Sequence, residues 1–426
     1  MNYKETCDFL FNQTPSFEKS GKTGFNEGLA TTLALDEHYG HPHRHFKSIH
    51  VAGTNGKGSV SHTLAAQLQT QGYRVGLYTS PHLINFRERI RVNGEMIPED
   101  YVVEFVDSFL AWSAQHLTPS FFELTTAMAF KYFADQQIDI AVVEVGLGGR
   151  LDCTNIITPV LSVITNISLD HTDMLGDTLA KIATEKAGII KPGVPVVIGE
   201  TCSETRPVFT EIAQQQHAPI VFAEDLPFIA TATPLQKGGM RYETTDGTVF
   251  TGDLSGFYQR KNTDTALHAL EQLKAIGIIN KIDYQAFRQV GASTGLMARW
   301  QTLQTNPTIV CDTGHNTGGW QYLSEQLKKV DCTQMHIVFG MVSDKDVNTV
   351  MGMLPKDAVY YFTKASTHRA ISEERIMQIG QSLGLKGHCY PTVKEAAKAA
   401  IDNAKAADFI FIGGSTYVVA DYMSEE

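Results

Sequence analysis

Residues 49–60 read IHVAGTNGKGSV, and the fold follows from them. Ile49 and Val51 begin a short strand that runs into a glycine-rich turn, Gly53 to Gly58. Val60, Leu64 and Leu68 then repeat every four residues, as one face of a helix does, and Gly72 stands where a helix ends. In this order the glycines let several backbone N–H groups point at one anion, and the helix N-terminus adds partial positive charge. Lys57 can reach outer phosphates, and the Ser59 hydroxyl can hold Mg²⁺. The string is not the usual GxxxxGK[ST]. Ala52 replaces the first glycine, and Gly58 separates Lys57 from Ser59. A glycine turn with a surface lysine is the blander reading, and the strand–turn–helix order argues against it. The turn implies a nucleotide phosphate without choosing between kinase, hydrolase and ligase.

Outward from the turn, strand and helix alternate. Val75, Leu77 and Tyr78 start a strand, and IDIAVVEV (138–145) and VLSVITNI (160–167) are near-continuous aliphatic runs that suit a parallel sheet covered on both faces. A doubly wound α/β domain is expected. Residues 226–256, rich in Thr and Gly with turn signals at Lys237–Gly239 and Asp246–Gly247, read as a β-hairpin insertion. A helix carrying Ala266, Leu267, Leu270 and Leu273 follows, then a small-residue linker at Gly291–Gly295. Strands at 308–311, 336–339, 359–362 and 409–412 and helices at 319–329, 373–383 and 393–406 make a second, smaller, Rossmann-like α/β domain. The expected division is 1–294 and 295–426.

The bulk numbers agree with an enzyme. The chain has 426 residues, 43% hydrophobic and 19% charged, with a net charge of -11. Neither a nucleic-acid face nor an anionic-membrane face fits that charge, so an anionic substrate must meet a local basic pocket. Six scattered cysteines without a CxxC pair read as free thiols in a reducing compartment. The N-terminus has no signal-peptide pattern and no apolar run approaches membrane length, so the cytoplasm is expected. A Gly/Lys-rich loop near Gly21–Gly24 and the histidines from His38 to His45 read as solvated loops, not as a metal site.

Glu144 ends a buried strand beside the turn, well placed for Mg²⁺, and Asp170 and His171 follow the next strand. Lys186 is a phosphate contact, a surface charge or, if its nitrogen is carbamylated, a metal ligand. The Arg87–Arg91 run RERIR is either a solvated strand face or an attractor for an anionic substrate.

GTNGKGS, TSPHL with FRERIRVNG, FFELTT, EVGLGGRLDCTN, SLDHTDMLG, EKAGIIKPG, ARW, CDTGHN and GMVSDKD occur here in order. Together, over roughly residues 20–420, they resemble the dihydrofolate synthase/folylpolyglutamate synthase family of the Mur ligase superfamily. The resemblance implies an ATP-dependent ligase that joins L-glutamate to dihydropteroate or to folate polyglutamates through an acyl phosphate. It implies that Gly53, Thr54, Asn55, Gly56, Lys57, Gly58 and Ser59 bind nucleotide, with Asn262, Arg299, Asp312 and His315. One Mg²⁺ would be held by Ser59, Ser80 and Glu144, a second by Glu144, His171 and carbamylated Lys186. Lys57, His171 and Lys186 would be catalytic. Ser120, Phe121, Phe122, Glu123, Leu151, Asp152 and Cys153 would face the pterin-bearing acid. Apart from the resemblance, the RERIR run makes Arg87 the candidate basic attractor for that acid. Closure of the C-terminal domain would keep water from the acyl phosphate, and a monomer is expected.

Three positions depart from the family's usual residues: Thr317 for proline, Ala298 for glycine and Cys153 for alanine. The rival readings are a cell-wall ligase of the same superfamily, which carries a domain of about a hundred residues ahead of the phosphate loop where this chain has 52, and a P-loop kinase.

Overall fold

The computed structural model describes residues 1–15, 28–113 and 117–424, so the stretch Gly21–Gly24 lies outside the described residues. The chain divides into two compact units. One takes Met1–Ala230, Glu243–Thr248 and Arg260–Gly295, the other Thr231–Tyr242, Val249–Gln259 and Leu296–Glu426.

The first unit is built on β1 (Lys47–Ala52), β2 (Val75–Tyr78), β3 (Ile90–Val92), β4 (Glu95–Met96), β5 (Ile140–Glu144), β6 (Leu161–Ile164), β7 (Val196–Ile198) and β8 (Ile220–Phe222). They form one sheet in the order β4-β3-β2-β5-β1-β6-β7-β8. Strands β2, β5, β1, β6, β7 and β8 pair in parallel, while β3 and β4 add an antiparallel edge. β1 lies between two strands that come later in the chain. The order therefore reverses there, and the carboxyl ends of β1, β5 and β6 share the switch point where doubly wound sheets bind ligands. Every residue of β5 and β6 is buried, as aliphatic runs covered on both faces must be.

The helix after the turn, Lys57–Thr70, is buried from Ser59 through Leu68, not on one face only. Its polar residues are satisfied inside the unit. The Gln67 amide exchanges two hydrogen bonds with the Asp283 backbone (2.7 and 3.1 Å), and His62 Nδ1 lies 2.8 Å from Thr294 Oγ1. The expected linker at Gly291–Gly295 is instead the short helix Val290–Thr294. Its small residues serve packing: a Cβ on Gly295, where φ is +76°, would sit 2.6 Å from Arg91 Cζ.

The expected hairpin insertion is a three-stranded sheet of β9 (Ile229–Pro234), β10 (Met240–Thr244) and β11 (Val249–Gly252), in the order β11-β10-β9. Its turns fall at the expected signals, closed by Leu235 N–H to Gly239 O and Thr244 N–H to Thr248 O. The histidine stretch is not a solvated loop either. His41 and His43 each place Nδ1 2.6 Å from a different oxygen of buried Asp36, which the helix Ala30–His38 carries there from five and seven residues back.

In the second unit β12 (Gln301–Thr305), β13 (Thr308–Asp312), β14 (Met335–Phe339), β15 (Val359–Thr363), β16 (Lys386–Tyr390) and β17 (Phe409–Gly413) form a sheet in the order β12-β13-β17-β14-β15-β16. All pairs are parallel except β12 with β13. Trp320, Phe339, Tyr360, Phe362 and Phe411 fill its core. The helices Thr317–Leu327, Glu373–Ser382 and Val393–Asn403 fall within a few residues of expectation, and Val347–Gly352 and Thr416–Met423 join them.

Candidate active site

The turn after β1 is held by the segment after β6. Thr54 N–H donates to Asn166 O (2.9 Å), Asn55 N–H to Asn166 Oδ1 (2.9 Å), and Thr165 Oγ1 to Asn55 O (2.5 Å). Two glycines make the geometry possible. Gly53 has φ +144°, and a Cβ there would overlap Thr165 Oγ1 and lie 3.1 Å from Thr165 Cβ. Gly56 has φ +82°, and a Cβ there would lie 3.1 Å from Asn262 Cγ and overlap its Oδ1. Asn262, from the helix Gln259–Ala275, is thus packed directly on the turn.

Two ammonium groups converge on one carbonyl. Lys57 Nζ donates to Gly53 O and Thr54 O (3.1 Å each), and Lys186 Nζ donates to Gly53 O (2.9 Å). Lys186 is buried on the helix Leu179–Ala187. Burial pushes its amine down to about 7; Lys57 pushes the same way, and Asp170 and Asp152 oppose. The loop Gly146–Asp152 lies against that helix. Arg150 N–H donates to Glu185 O (2.8 Å), and a Cβ on Gly149 would come within 2.7 Å of the same oxygen.

Glu144, buried at the end of β5, pairs in register with Val51 and lies 3.4 Å from the Ser80 N–H. Ser59, also buried, opens the helix beyond the turn. Among the described residues no three His, Cys, Asp or Glu side chains gather as a metal site by themselves. The expected sets do not require one. Hydroxyl and carboxylate oxygens suit a hard cation whose remaining positions go to phosphate and water. Asp170 and His171 stand beyond β6 on the loop before the short helix Thr172–Leu175. His171 adopts φ +50°, with Nε2 3.8 Å from Asp170 Oδ1.

The residues expected at the acceptor acid separate into two groups. Ser120 and Glu123 cap the helix Phe121–Asp135 reciprocally: Glu123 Oε2 accepts from Ser120 N–H (2.7 Å) and Oγ (2.8 Å). Phe121 stacks on Phe11 (5.3 Å between centroids), whereas Phe122 stacks on Tyr78 and covers Gly146. Asp152 is buried. Burial raises its carboxyl above the usual range, and hydrogen bonds from Leu147 N–H (2.8 Å), Thr154 N–H (3.0 Å) and Thr154 Oγ1 oppose that. Cys153 beside it is a buried thiol with its ionisation pushed well up by burial.

The RERIR run is not a solvated face. Arg87 meets Glu99 (3.3 Å) and Asn85 Oδ1, but Arg89 is 1% exposed, donates from Nε to His82 Nδ1 (2.7 Å) and lies over the Phe121 ring. The sequence alone did not single out Arg89, which ends the 3₁₀ turn Phe86–Arg89 ahead of β3; only that turn's packing tells which arginine of the run faces inward.

In the second unit, Arg299 donates to Thr313 Oγ1 (2.5 Å), and His315 Nδ1 lies 3.1 Å from Thr313 O. Asp312 ends β13, buried. One oxygen accepts from Tyr258 Oη (2.5 Å) and Trp300 N–H (2.7 Å), the other from Gly314 N–H (2.7 Å). Tyr258 was not foreseen, since nothing local marks a partner 54 residues away. The departures at Ala298 and Thr317 acquire physical content here. Ala298 has φ +56°, a left-handed conformation that favours glycine. Thr317 opens the helix after the Asn316 cap, where proline is favoured but any residue whose N–H needs no partner fits.

A switch-point turn tied to the strand beyond it, with a carboxylate on the neighbouring strand and a separate parallel-sheet unit downstream, defines an ATP-dependent ligase of the Mur type. The Mur ligase middle domain family matches residues 51–225, and the Mur ligase glutamate ligase domain family matches 298–416. The folylpolyglutamate synthase of Lacticaseibacillus casei is 33% identical over 434 residues, covering 99% of this chain and 97% of that protein. A probable bifunctional folylpolyglutamate synthase/dihydropteroate synthase of Haloferax volcanii is 34% identical, and this chain spans 50% of its length. Escherichia coli FolC in complex with DHPP and ADP superposes with a TM-score of 0.82 at 29% identity, covering 99% of this chain and 97% of that one. A bifunctional folylpolyglutamate synthase/dihydrofolate synthase with Mn, AMPPNP and L-glutamate bound gives 0.81 at 26%, with 99% and 97% covered. The chain belongs to the dihydrofolate synthase/folylpolyglutamate synthase family of ATP-dependent ligases.

Proposed function

We propose that this ligase adds L-glutamate to dihydropteroate, to folate (poly)glutamates or to both, converting ATP to ADP and phosphate. The observation that carries the reading is the turn itself: Gly53 and Gly56 without side chains, Lys57 and Lys186 converging on it, and Glu144 with Ser80 beside it.

The acceptor carboxylate takes the γ-phosphoryl group from ATP, giving an acyl phosphate and ADP. The glutamate amine then attacks the acyl carbon, and amide, phosphate and a proton result. A carboxylate needs this activation because its oxygen is a poor leaving group at neutral pH. The N–H groups of the turn hold the phosphates, and Lys57 balances charge on the group being transferred. We assign nucleotide contacts to Asn262, and likewise to Arg299, Asp312 and His315 of the second unit. Ser59, Ser80 and Glu144 would hold one Mg²⁺, and Glu144, His171 and Lys186 a second. The metal, when bound, draws charge from the phosphoryl oxygens.

Lys186 joins that set only as a carbamate. Its neutral amine adds to CO₂ with loss of a proton, and an amine held near 7 has the neutral form available at neutral pH. Leu151, Asp152, Cys153 and the Ser120–Glu123 stretch shape the acceptor side, and Arg87 draws in its negative charge. Arg87→Ala tests that last role through the acceptor KM. The six free cysteines agree with a cytoplasmic setting, and no described helix is long and apolar enough to cross a membrane.

The deciding experiment measures ADP release with dihydropteroate and with a tetrahydrofolate, each with and without L-glutamate. Turnover that needs both acid and amino acid, with a new amide by mass spectrometry, supports the reading. ATP hydrolysis indifferent to either one sinks it.

A further inference from the structure

His50 sits in the middle of β1, three residues before the turn, with no exposed surface. Burial holds its imidazole neutral, with its ionisation pushed down to about 3. Nε2 lies 2.8 Å from Thr154 Oγ1, and that hydroxyl donates in turn to Asp152 Oδ1. The direction of the chain can be worked out. Asp152 is surrounded by donors, the N–H of Leu147 on one oxygen and the N–H and hydroxyl of Thr154 on the other, so it acts as an ionised acceptor. Thr154 has one hydroxyl proton and directs it to Asp152. Its lone pair must therefore accept from His50, which fixes His50 as the Nε2–H tautomer. Nδ1 is then a bare lone pair, and among the described residues it is indeed a buried atom without a hydrogen-bond partner. An orphaned buried acceptor is destabilising, and a polar ring kept in a β-strand despite that calls for a use.

We infer that His50 is a positioning residue for the acceptor acid: from the rigid central strand, through Thr154, it fixes the Asp152 carboxylate and the loop that carries it. The inference rests on the proposed contact between Asp152 and the pterin-bearing substrate. Four donors of the surrounding loops, the Gly146 backbone among them, hold this carboxylate. A substrate N–H therefore meets oxygens whose direction those bonds already fix. The helix Ala30–His38 also packs on the short 3₁₀ turn Cys153–Ile156 that holds Thr154, so movement of Thr154 would be felt at that helix as well. The strand that delivers the phosphate loop thereby also orients the acceptor side of the site.

The test separates acceptor from nucleotide. His50→Leu removes the donor; His50→Gln offers an amide N–H in nearly the same place; Thr154→Val cuts the chain and Thr154→Ser keeps it. With the intact enzyme, His50→Leu and Thr154→Val are expected to raise the KM for the pteroate or folate acceptor about tenfold, near 1.4 kcal/mol. The KM for ATP should move less than twofold. His50→Gln and Thr154→Ser should recover most of the loss, and the double variant His50→Leu/Thr154→Val should be no worse than Thr154→Val alone. ATP and acceptor KM rising together, or additive losses, would overturn the inference.

Should His50→Leu fold poorly, ¹⁵N-histidine NMR of the unaltered enzyme still decides. One ring must stay neutral and Nε2-protonated from pH 5.5 to 8.5, and an Nδ1–H tautomer for His50 refutes the chain. Asp152→Ala distinguishes the two levels of the argument. If it leaves the acceptor KM unchanged, the substrate contact is wrong; if it raises KM while His50→Leu does not, the positioning role is wrong.

Discussion

Gly53→Ala puts the phosphate turn to its most direct test. The new Cβ would overlap Thr165 Oγ1 and stand 3.1 Å from both Thr165 Cβ and Thr165 N, so backbone as well as side chain is in the way. Thr165 cannot simply rotate aside, since its hydroxyl donates to Asn55 O at 2.5 Å and thereby closes the turn. Relief requires the turn to move by about 1 Å or the bond to break. The bond contributes about 1 kcal/mol. The φ of +144°, open to glycine but not to alanine, adds about 1–3 kcal/mol of strain. A local cost of about 2–4 kcal/mol follows. A displacement of that size at the phosphates lowers kcat on the order of 10²-fold. Coupled ADP-release kinetics and calorimetric ATP binding measure both. The double variant Gly53→Ala/Thr165→Ala should regain part of the loss, because it removes the overlap but not the backbone strain. A single variant with kcat and ATP affinity within threefold of the parent would refute the reasoning.

Lys186→Met should lower kcat about 10²–10³-fold, and intact-protein mass spectrometry of the parent should show one bound CO₂ that bicarbonate-free buffer removes along with activity. Glu144→Gln and Ser80→Ala should each raise the Mg²⁺ concentration for half-maximal rate at least about tenfold, read from metal titrations at saturating ATP. Ala298→Gly should stabilise the protein by about 0.5–1 kcal/mol, visible as a rise in urea midpoint, because the left-handed backbone at φ +56° no longer carries a Cβ.

What could be read from the sequence was whatever its own neighbours determine. The phosphate turn, β5 and β6 are specified within a dozen residues by glycine placement and unbroken aliphatic runs. β12 (QTLQT) and β16 (KGHCY) gave no such sign, because edge strands bury little and tolerate polar residues. The Gly291–Gly295 stretch read as a linker since small residues serve both flexibility and close packing, and only the Arg91 guanidinium against Gly295 distinguishes the two. At the site, motif positions such as Glu144 and Lys186 were visible as residue types. The partners that tune them were not: Thr165 for Asn55, Tyr258 for Asp312 and Thr154 for His50 lie 110, 54 and 104 residues away.

The bond from Tyr258 to Asp312 also bears on how such a chain can be cut and recombined. The second unit draws 231–242 and 249–259 from upstream of the main boundary, and Phe257 N–H donates to Gln326 Oε1 (2.8 Å) as Tyr258 does to Asp312. A gene fragment that starts at Leu296 would leave a buried aspartate and a glutamine amide without these anchors. A chimera that exchanges C-terminal halves between relatives should therefore transplant the upstream segment together with the tail, or inherit a loosened loop after β13.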